Sequence, residues 1–469
     1  MTASRPMSST VAVVGGGLAG LSAACALADA GLRVTLLERR PYLGGRASSY
    51  EHPGTGEVVD NCQHVLLGCC TNLIDFYRRT GVTDKIRWYE RLNFIEPGGR
   101  CSSMLPSALP APLHYAPAFL RMAFLSAADK LAIARAMMKL MESPLPETDQ
   151  HFLGWLRDHG QTPGAIGRFW KVVLVSALNE DLDRMSVHYA SQVFRESFLK
   201  SAPAGRMGVP TVPLTELYQA GAKYIEARGG EVRLRCAVES LCPEGTGIRL
   251  AIPGGEVTAD FAVMAAPFDA LARMLPATEE ASGLQAQLSH FETSPITGIH
   301  FWFDREISDL DHAVLLDRTI QWMFHKSRIL ETREGGGSYV ELVVSSSKGL
   351  LEKSRNEILD LSLRELKEFL PAVGAATVVK ATVIKEVHAT YSALPRSDEY
   401  RPNTETAWPQ VFLAGDWTLS GWPATMEGAV RSGYRAAEAV VRAAGNNSNA
   451  RFLAPDLPAQ GLMRLFTSP

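Results

Sequence analysis

Gly15, Gly17 and Gly20 fall in the spacing G-x-G-x-x-G, and the chemistry open to such a run is to hold a diphosphate against bare backbone. The first glycine permits a tight turn, the second lets a phosphate reach main-chain amides, and the third lets a helix lie close on a strand. Leu18 and Ala19 open that helix, whose positive end faces the phosphates. Glu38 follows at the distance where a carboxylate accepts hydrogen bonds from ribose hydroxyls and repels a 2′-phosphate, with Arg39 directly after it. Next come Gly44, Gly45 and Arg46, two glycines for close backbone approach and a guanidinium fork for a diphosphate. Near the other end, Asp416 after Gly415 is placed to bind ribityl or phosphate-linked hydroxyls. A helix start near Met426 would aim amides at a ring edge that gains negative charge on reduction. The three elements together call for FAD rather than a nicotinamide cofactor. No cysteine lies between Val411 and Tyr434, so a thioether to the flavin there is excluded and the cofactor is expected to be non-covalent.

The elements that must position these residues are legible. A β-branched strand Thr10–Val14, a small-residue helix Leu18–Ala30 and a strand Arg33–Glu38 make a βαβ unit, and Val411–Ala414 is a buried strand followed by a helix from about Ala424. A helix Pro213–Arg228 and a strand from Glu231 to about Val238 come between them, with a further strand reaching Pro267. The nucleotide pieces are therefore dispersed and the domains interleave. Residues 1–85, 206–267 and 401–445 are assigned to a Rossmann-like FAD-binding domain, 86–205 and 268–400 to a substrate-binding domain of mixed sheet and helices, and 446–469 to a tail outside the core. The fold class is α/β with an α+β second domain.

Composition removes other classes. Lys plus Arg is 47 against 50 for Asp plus Glu, a net charge of −3, which argues against a nucleic-acid partner bound by bulk charge. The seven cysteines are odd in number and contain no CxxC pair, so neither a disulfide framework nor a zinc site is expected and a reducing cytoplasm fits. No metal site, nucleophile elbow or Walker loop is visible. The uncharged stretch 11–28 is broken by three glycines and 101–120 by four prolines, so no transmembrane helix is expected. Ser126 to Asp129 fits a capping box opening a helix to Met141 with apolar and cationic residues on it. That helix either caps the substrate domain or rests peripherally on the inner face of a membrane.

The cradle from Gly15 to Glu38, the triplet Gly44-Gly45-Arg46 and the ending Gly415-Asp416 resemble the flavin amine oxidase and phytoene desaturase superfamily. Within it, DNCQHVLLGCCTNLIDFYRRTG from Asp60, FWKVVLVSALNEDLDRMS from Phe169 and GDWTLSGWPATMEGAVRSGY from Gly415 look like the squalene-associated hydroxysqualene dehydroxylases of hopanoid synthesis. Cys62 departs from the glycine that this family pattern would carry in DNGQH. The resemblance implies that Val238 lies beside the adenine. It also implies that reduced flavin replaces the allylic hydroxyl of hydroxysqualene with hydrogen to give squalene.

That reaction needs a proton donor facing the flavin. His64 is a candidate with Asp60 supporting its protonated ring, or it simply hydrogen-bonds to flavin or backbone. Glu180, in the polar cluster Asn179, Glu180, Asp181 and Asp183, is a second candidate if apolar walls keep its proton on, or else it marks a solvated helix boundary. Tyr189 and Tyr391 are further possible donors, whereas Glu427 is read as complementing a helix dipole. Other readings of the same cradle are a carotenoid-type desaturase, an amine oxidase, and a prenyl-binding chaperone resembling the Rab GDP-dissociation inhibitors.

Overall fold

Five parallel strands, in the spatial order Glu231–Arg233, Arg33–Leu37, Thr10–Val14, Phe261–Met264 and Val411–Leu413, form one sheet of the computed structural model, which describes residues 9–141, 149–332, 336–445 and 450–466. Both faces of the sheet are covered, which is why Val11 to Val14 is a continuous apolar run and not an alternating one. Helix Leu18–Asp29 lies on one face, sandwiched with helices Met426–Ala443 and Leu214–Glu226. Gly20 makes this packing possible, since a Cβ there would sit 1.9 Å from the Gly15 carbonyl oxygen.

The second sheet has seven strands in the order Val378–Tyr391, Thr293–Phe303, Ser338–Ser345, Trp322–Phe324, His312–Leu315, Leu92–Ile95 and Cys101–Met104. Its pairs are antiparallel except His312–Leu315 with Leu92–Ile95. Helix Arg355–Phe369, started by a capping box between Ser354 and Glu357, packs Ile358, Leu366 and Phe369 on one face. A small sheet of Leu66–Leu67, Met207–Pro210 and Ile86–Tyr89 stands between the two large ones. Helices Ala116–Arg121, Ala127–Met141, Phe152–Asp158, Lys171–Leu178 and Val187–Phe194 form a cap. Ser126 and Asp129 cap each other's backbone amides at 2.9 and 3.2 Å, as their spacing predicts.

Several sequence expectations shift. The strand from Glu231 ends at Arg233, because Arg235 turns with φ 55° and donates its amide to the Arg40 carbonyl, leaving Val238 in a loop. The last helix starts at Met426, where the Thr425 side chain accepts from the Gly428 amide at 3.0 Å. A π-helical turn over Ile166–Trp170 leads into helix Lys171–Leu178. The tail does not lie outside the core over its described residues 450–466. Met463 is buried, the Leu462 amide donates to the Ala111 carbonyl, and the Glu438 carboxylate collects the amides of Phe452 and Leu453. Methionine and backbone docking, invisible in a polar-looking sequence, hold it there.

Candidate active site

A single cavity of about 430 Å³ runs from the glycine turn of the first sheet to the second sheet. Gly15, Gly17, Leu18, Ala19, Glu38 and Arg39 line one end, joined by Gly44, Gly45 and Arg46. Glu38 is pre-set by its own neighbours, with Oε2 accepting from the Gly16 amide at 2.6 Å and Oε1 from the Arg40 amide at 2.7 Å. Arg40 in turn donates to the Gly45 carbonyl at 2.8 Å. Gly45 has φ 61° and passes so near the first loop that a Cβ would lie 2.9 Å from the Gly17 Cα. Two stretches of bare backbone thus meet where the helix of residues 18–29 begins, a surface that suits a diphosphate and excludes side chains. Gly20 lies beneath this surface, and Val238 is buried and is not on the wall of this cavity.

Arg46 and Asp416 both line the cavity and pair at 2.5 Å, with Arg46 also donating to the Ala389 carbonyl at 3.1 Å. Buried Arg401 binds the carbonyls of Asp416, Thr418 and Trp422 and so fixes the loop that carries Asp416. Nothing in the spacing around Arg401 announces this. Met426 reaches the wall at the helix start, as does Glu427. Glu427 does serve a helix dipole, but chiefly that of Thr71–Thr80, whose Asn72 and Leu73 amides it accepts at 3.2 and 2.8 Å. Burial raises its carboxyl above the ordinary value against those bonds.

The segment Asn61 to His64 forms the wall between the two sheets. Cys62 fits here without a left-handed backbone, so the glycine of the family pattern is not needed. His64 donates Nδ1–H to the Cys62 carbonyl at 2.8 Å, a choice of tautomer that the carbonyl imposes. Burial lowers its pKa from the ordinary value, so its resting form is neutral. Asp60 does not pair with His64, contrary to the sequence reading. Its Oδ2 receives Lys326 Nζ at 2.7 Å and its Oδ1 receives Ser49 Oγ at 2.6 Å and the Leu214 amide at 3.2 Å. Burial works to raise Asp60, but these partners hold it below the ordinary carboxylate value. Lys326 also donates to Gln63 Oε1 at 2.8 Å and stands 3.7 Å from Glu341. Burial pushes Glu341 up to about 8, against the pull of Lys326. The sequence reading missed this cluster, because Lys326 stands among His325, Ser327 and Arg328 with nothing local to mark it as buried.

Glu180 is wholly buried yet absent from the cavity wall. Burial tends to raise its carboxyl, but Lys348, Ser392 and the Asp181 amide reverse this and hold it low. The proton-keeping role expected of it is therefore not supported: its apolar surroundings are overruled by a lysine from another strand connection. Asn179 instead reaches the wall, and its side chain ties Ser294, Thr390 and the Ser346 amide together. Tyr189 is spent on Asp398 and Arg401, and neither it nor Tyr391 faces the cavity. Beyond the wall, an arm of Leu92, Phe94, Met104, Val172, Val173 and Phe198 continues the cavity in apolar side chains. Among the described residues no cluster of His, Cys, Asp or Glu could hold a metal ion.

The bare-backbone cradle, continuous with a cavity end that holds the Arg46–Asp416 pair, suits a flavin oxidoreductase, and its cofactor is FAD. The chain belongs to the flavin-containing amine oxidoreductases, whose family pattern matches residues 18–441. It is 28% identical over 456 residues to 15-cis-phytoene desaturase of Synechococcus elongatus, covering 92% of this chain and 95% of that one. The chloroplastic/chromoplastic 15-cis-phytoene desaturase of Arabidopsis thaliana is 27% identical over 463 residues, covering 92% and 80%. Among solved structures, an oxidoreductase from Methanosarcina mazei matches with TM-score 0.71 at 16% identity over 90% of this chain and 98% of that one. Cyclohexylamine oxidase from Brevibacterium oxydans matches with TM-score 0.66 at 17% identity, covering 93% and 99%. The two sequence relatives named here are carotenoid desaturases, so the flavin oxidoreductase family is shown while the finer resemblance to squalene-associated enzymes is not.

Proposed function

We propose that this protein is an FAD-dependent oxidoreductase of long polyisoprenoid hydrocarbons. One observation carries the reading: the cofactor cradle and a deep apolar arm are a single continuous cavity, lined by both sheets. Bound flavin would supply two-electron hydride exchange with a substrate carbon. The protein's own part is to hold the chain in the arm, exclude water, and present His64 in a neutral tautomer whose Nε2 is an acceptor.

Desaturation of a carotenoid precursor stands first, supported by the relatives. The reductive dehydroxylation of hydroxysqualene stands second, on the phrases around Asp60, Phe169 and Gly415. Anaerobic mixing separates them. Oxidised enzyme with phytoene should bleach the flavin and give a new conjugated double bond; reduced enzyme with hydroxysqualene should regain flavin absorbance with stoichiometric squalene. Inertness towards both would refute the isoprenoid reading, and a colourless purified protein would favour the chaperone.

A lipid-surface partner belongs to the same proposal. Leu105, Leu109, Leu113, Leu120, Leu131 and Met138 are exposed, and the docked tail adds Leu462, Leu465 and Phe466. Between 101 and 141 the only acid is Asp129, buried and capped, against Arg121, Lys130, Arg135 and Lys139. Among the described residues no helix is long and apolar enough to cross a membrane, so contact would be peripheral. Flotation with phosphatidylglycerol vesicles should carry the protein, and Leu465→Asp with Phe466→Asp should weaken it; no flotation would remove this partner.

A further inference from the structure

The long strand Val378–Tyr391 pairs with Thr293–Phe303 in one register from Trp302 and Lys380 to Ile296 and Glu386, then resumes at Ser294 and Thr390. Three residues, Val387, His388 and Ala389, therefore lie against Pro295 alone. Proline has no amide to give the ladder, and a bulge is the usual result. The bulge breaks the strict alternation of side chains at the cavity. Glu386, Ala389 and Thr390 all reach the wall, while Val387 is turned out to solvent. The last two are then used by the site: the Ala389 carbonyl receives Arg46 at 3.1 Å, and Thr390 Oγ1 receives Asn179 at 2.9 Å.

Glu386 differs from them. It has no hydrogen bond or ion pair to any other described residue's side chain, whereas the other acids on the cavity wall are engaged: Glu38 by two amides, Glu196 by Lys200, Asp416 by Arg46, Glu427 by two helix amides. A carboxyl set on the cavity wall by a bulged strand, with its oxygens uncommitted, is available to a ligand there.

We propose that Glu386 is the catalytic carboxyl that transfers the substrate proton in this cavity, a role that rests on the isoprenoid reading. In desaturation one C–H bond breaks as hydride, passing two electrons to the flavin, and the neighbouring C–H bond gives its proton to the Glu386 carboxylate as the C=C bond forms. In dehydroxylation the Glu386 carboxylic acid gives its proton to the hydroxyl, the C–O bond breaks, water leaves, and the reduced flavin supplies the hydride that makes the new C–H bond.

The test compares wild-type, Glu386→Gln and Glu386→Asp holoenzymes, with the saturated hydrocarbon squalane as an inert occupant. Glu386→Gln should keep its flavin and still show the squalane-induced change in flavin absorbance. Its turnover on whichever substrate the wild type accepts should fall about 10²- to 10⁴-fold, with Glu386→Asp recovering part of the loss. Titration of the flavin absorbance with squalane should give the same affinity in Glu386→Gln as in the wild type, so that the loss falls on kcat and not on binding. Undiminished turnover, or a loss of turnover matched by an equal loss of squalane affinity, overturns the assignment. If the wild type itself accepts neither substrate, the isoprenoid reading falls, and the assignment that rests on it falls with it.

Discussion

Replacing Lys326 with methionine tests the buried cluster behind the cavity wall. Lys326 is 2% exposed, so solvent does not screen its bonds of 2.7 Å to Asp60 and 2.8 Å to Gln63. Methionine matches its length but leaves the Asp60 carboxylate fully buried with only Ser49 and the Leu214 amide as partners. Removing one partner of such a pair costs about 3–5 kcal/mol, most of it the uncompensated charge left behind. A double change, Lys326→Met with Asp60→Asn, removes both charges and should recover more than half of that loss. Urea unfolding at pH 7, followed by far-ultraviolet circular dichroism, measures both. The pH dependence has a definite sign. Although burial opposes it, Asp60 is held below its ordinary value, so its contribution is present above pH of about 4 and lost on acidification through the folded value. Burial likewise opposes Lys326, but Asp60 and Glu341 raise it, so its contribution is present below pH of about 10 and is lost as the pH rises through its folded value. A single variant that loses less than about 1 kcal/mol, or a double variant weaker than the single one, would refute the uncompensated-charge argument.

Glu341, raised mainly by burial to about 8, must keep its proton in the folded state while the unfolded chain releases it near pH 4, so stability falls as pH rises between those values. Glu341→Gln should flatten that slope and exceed the wild type at pH 8 by up to about 5 kcal/mol, with no advantage at pH 4, in the same urea assay. Glu427→Ala should unpair the Asn72 and Leu73 amides and cost about 2 kcal/mol, seen as faster hydrogen exchange at the start of helix Thr71–Thr80. Gly45→Ala should leave the fold intact but weaken flavin binding by about tenfold or more, because its Cβ would enter the space between the two backbone loops. Retained flavin affinity in that variant would show that the Gly17–Gly45 approach does not form the diphosphate cradle.

The cofactor half was readable because its demands are local. A phosphate cradle needs glycines at set intervals after a strand and before a helix, and residues 10 to 38 provide them within one βαβ unit. The wrong assignments were those that depended on distant partners. Glu180 looked like a carboxyl in apolar company, and Lys348 makes it an anion; Asp60 looked like a support for His64, and Lys326 claims it.

By itself, then, the sequence determined the FAD cradle, the interleaving of two sheets and the apolar character of the second domain, because spacing and hydropathy act along the chain. Only the tertiary structure decided the charge state of each acid and which of them faces the cavity. Lys326 and Asp60 are separated by 266 positions. The aim of Glu386 depends on a proline in the neighbouring strand. A buried group's proton and direction are set by what surrounds it in space, and that is assembled from chain segments with no local sign of one another.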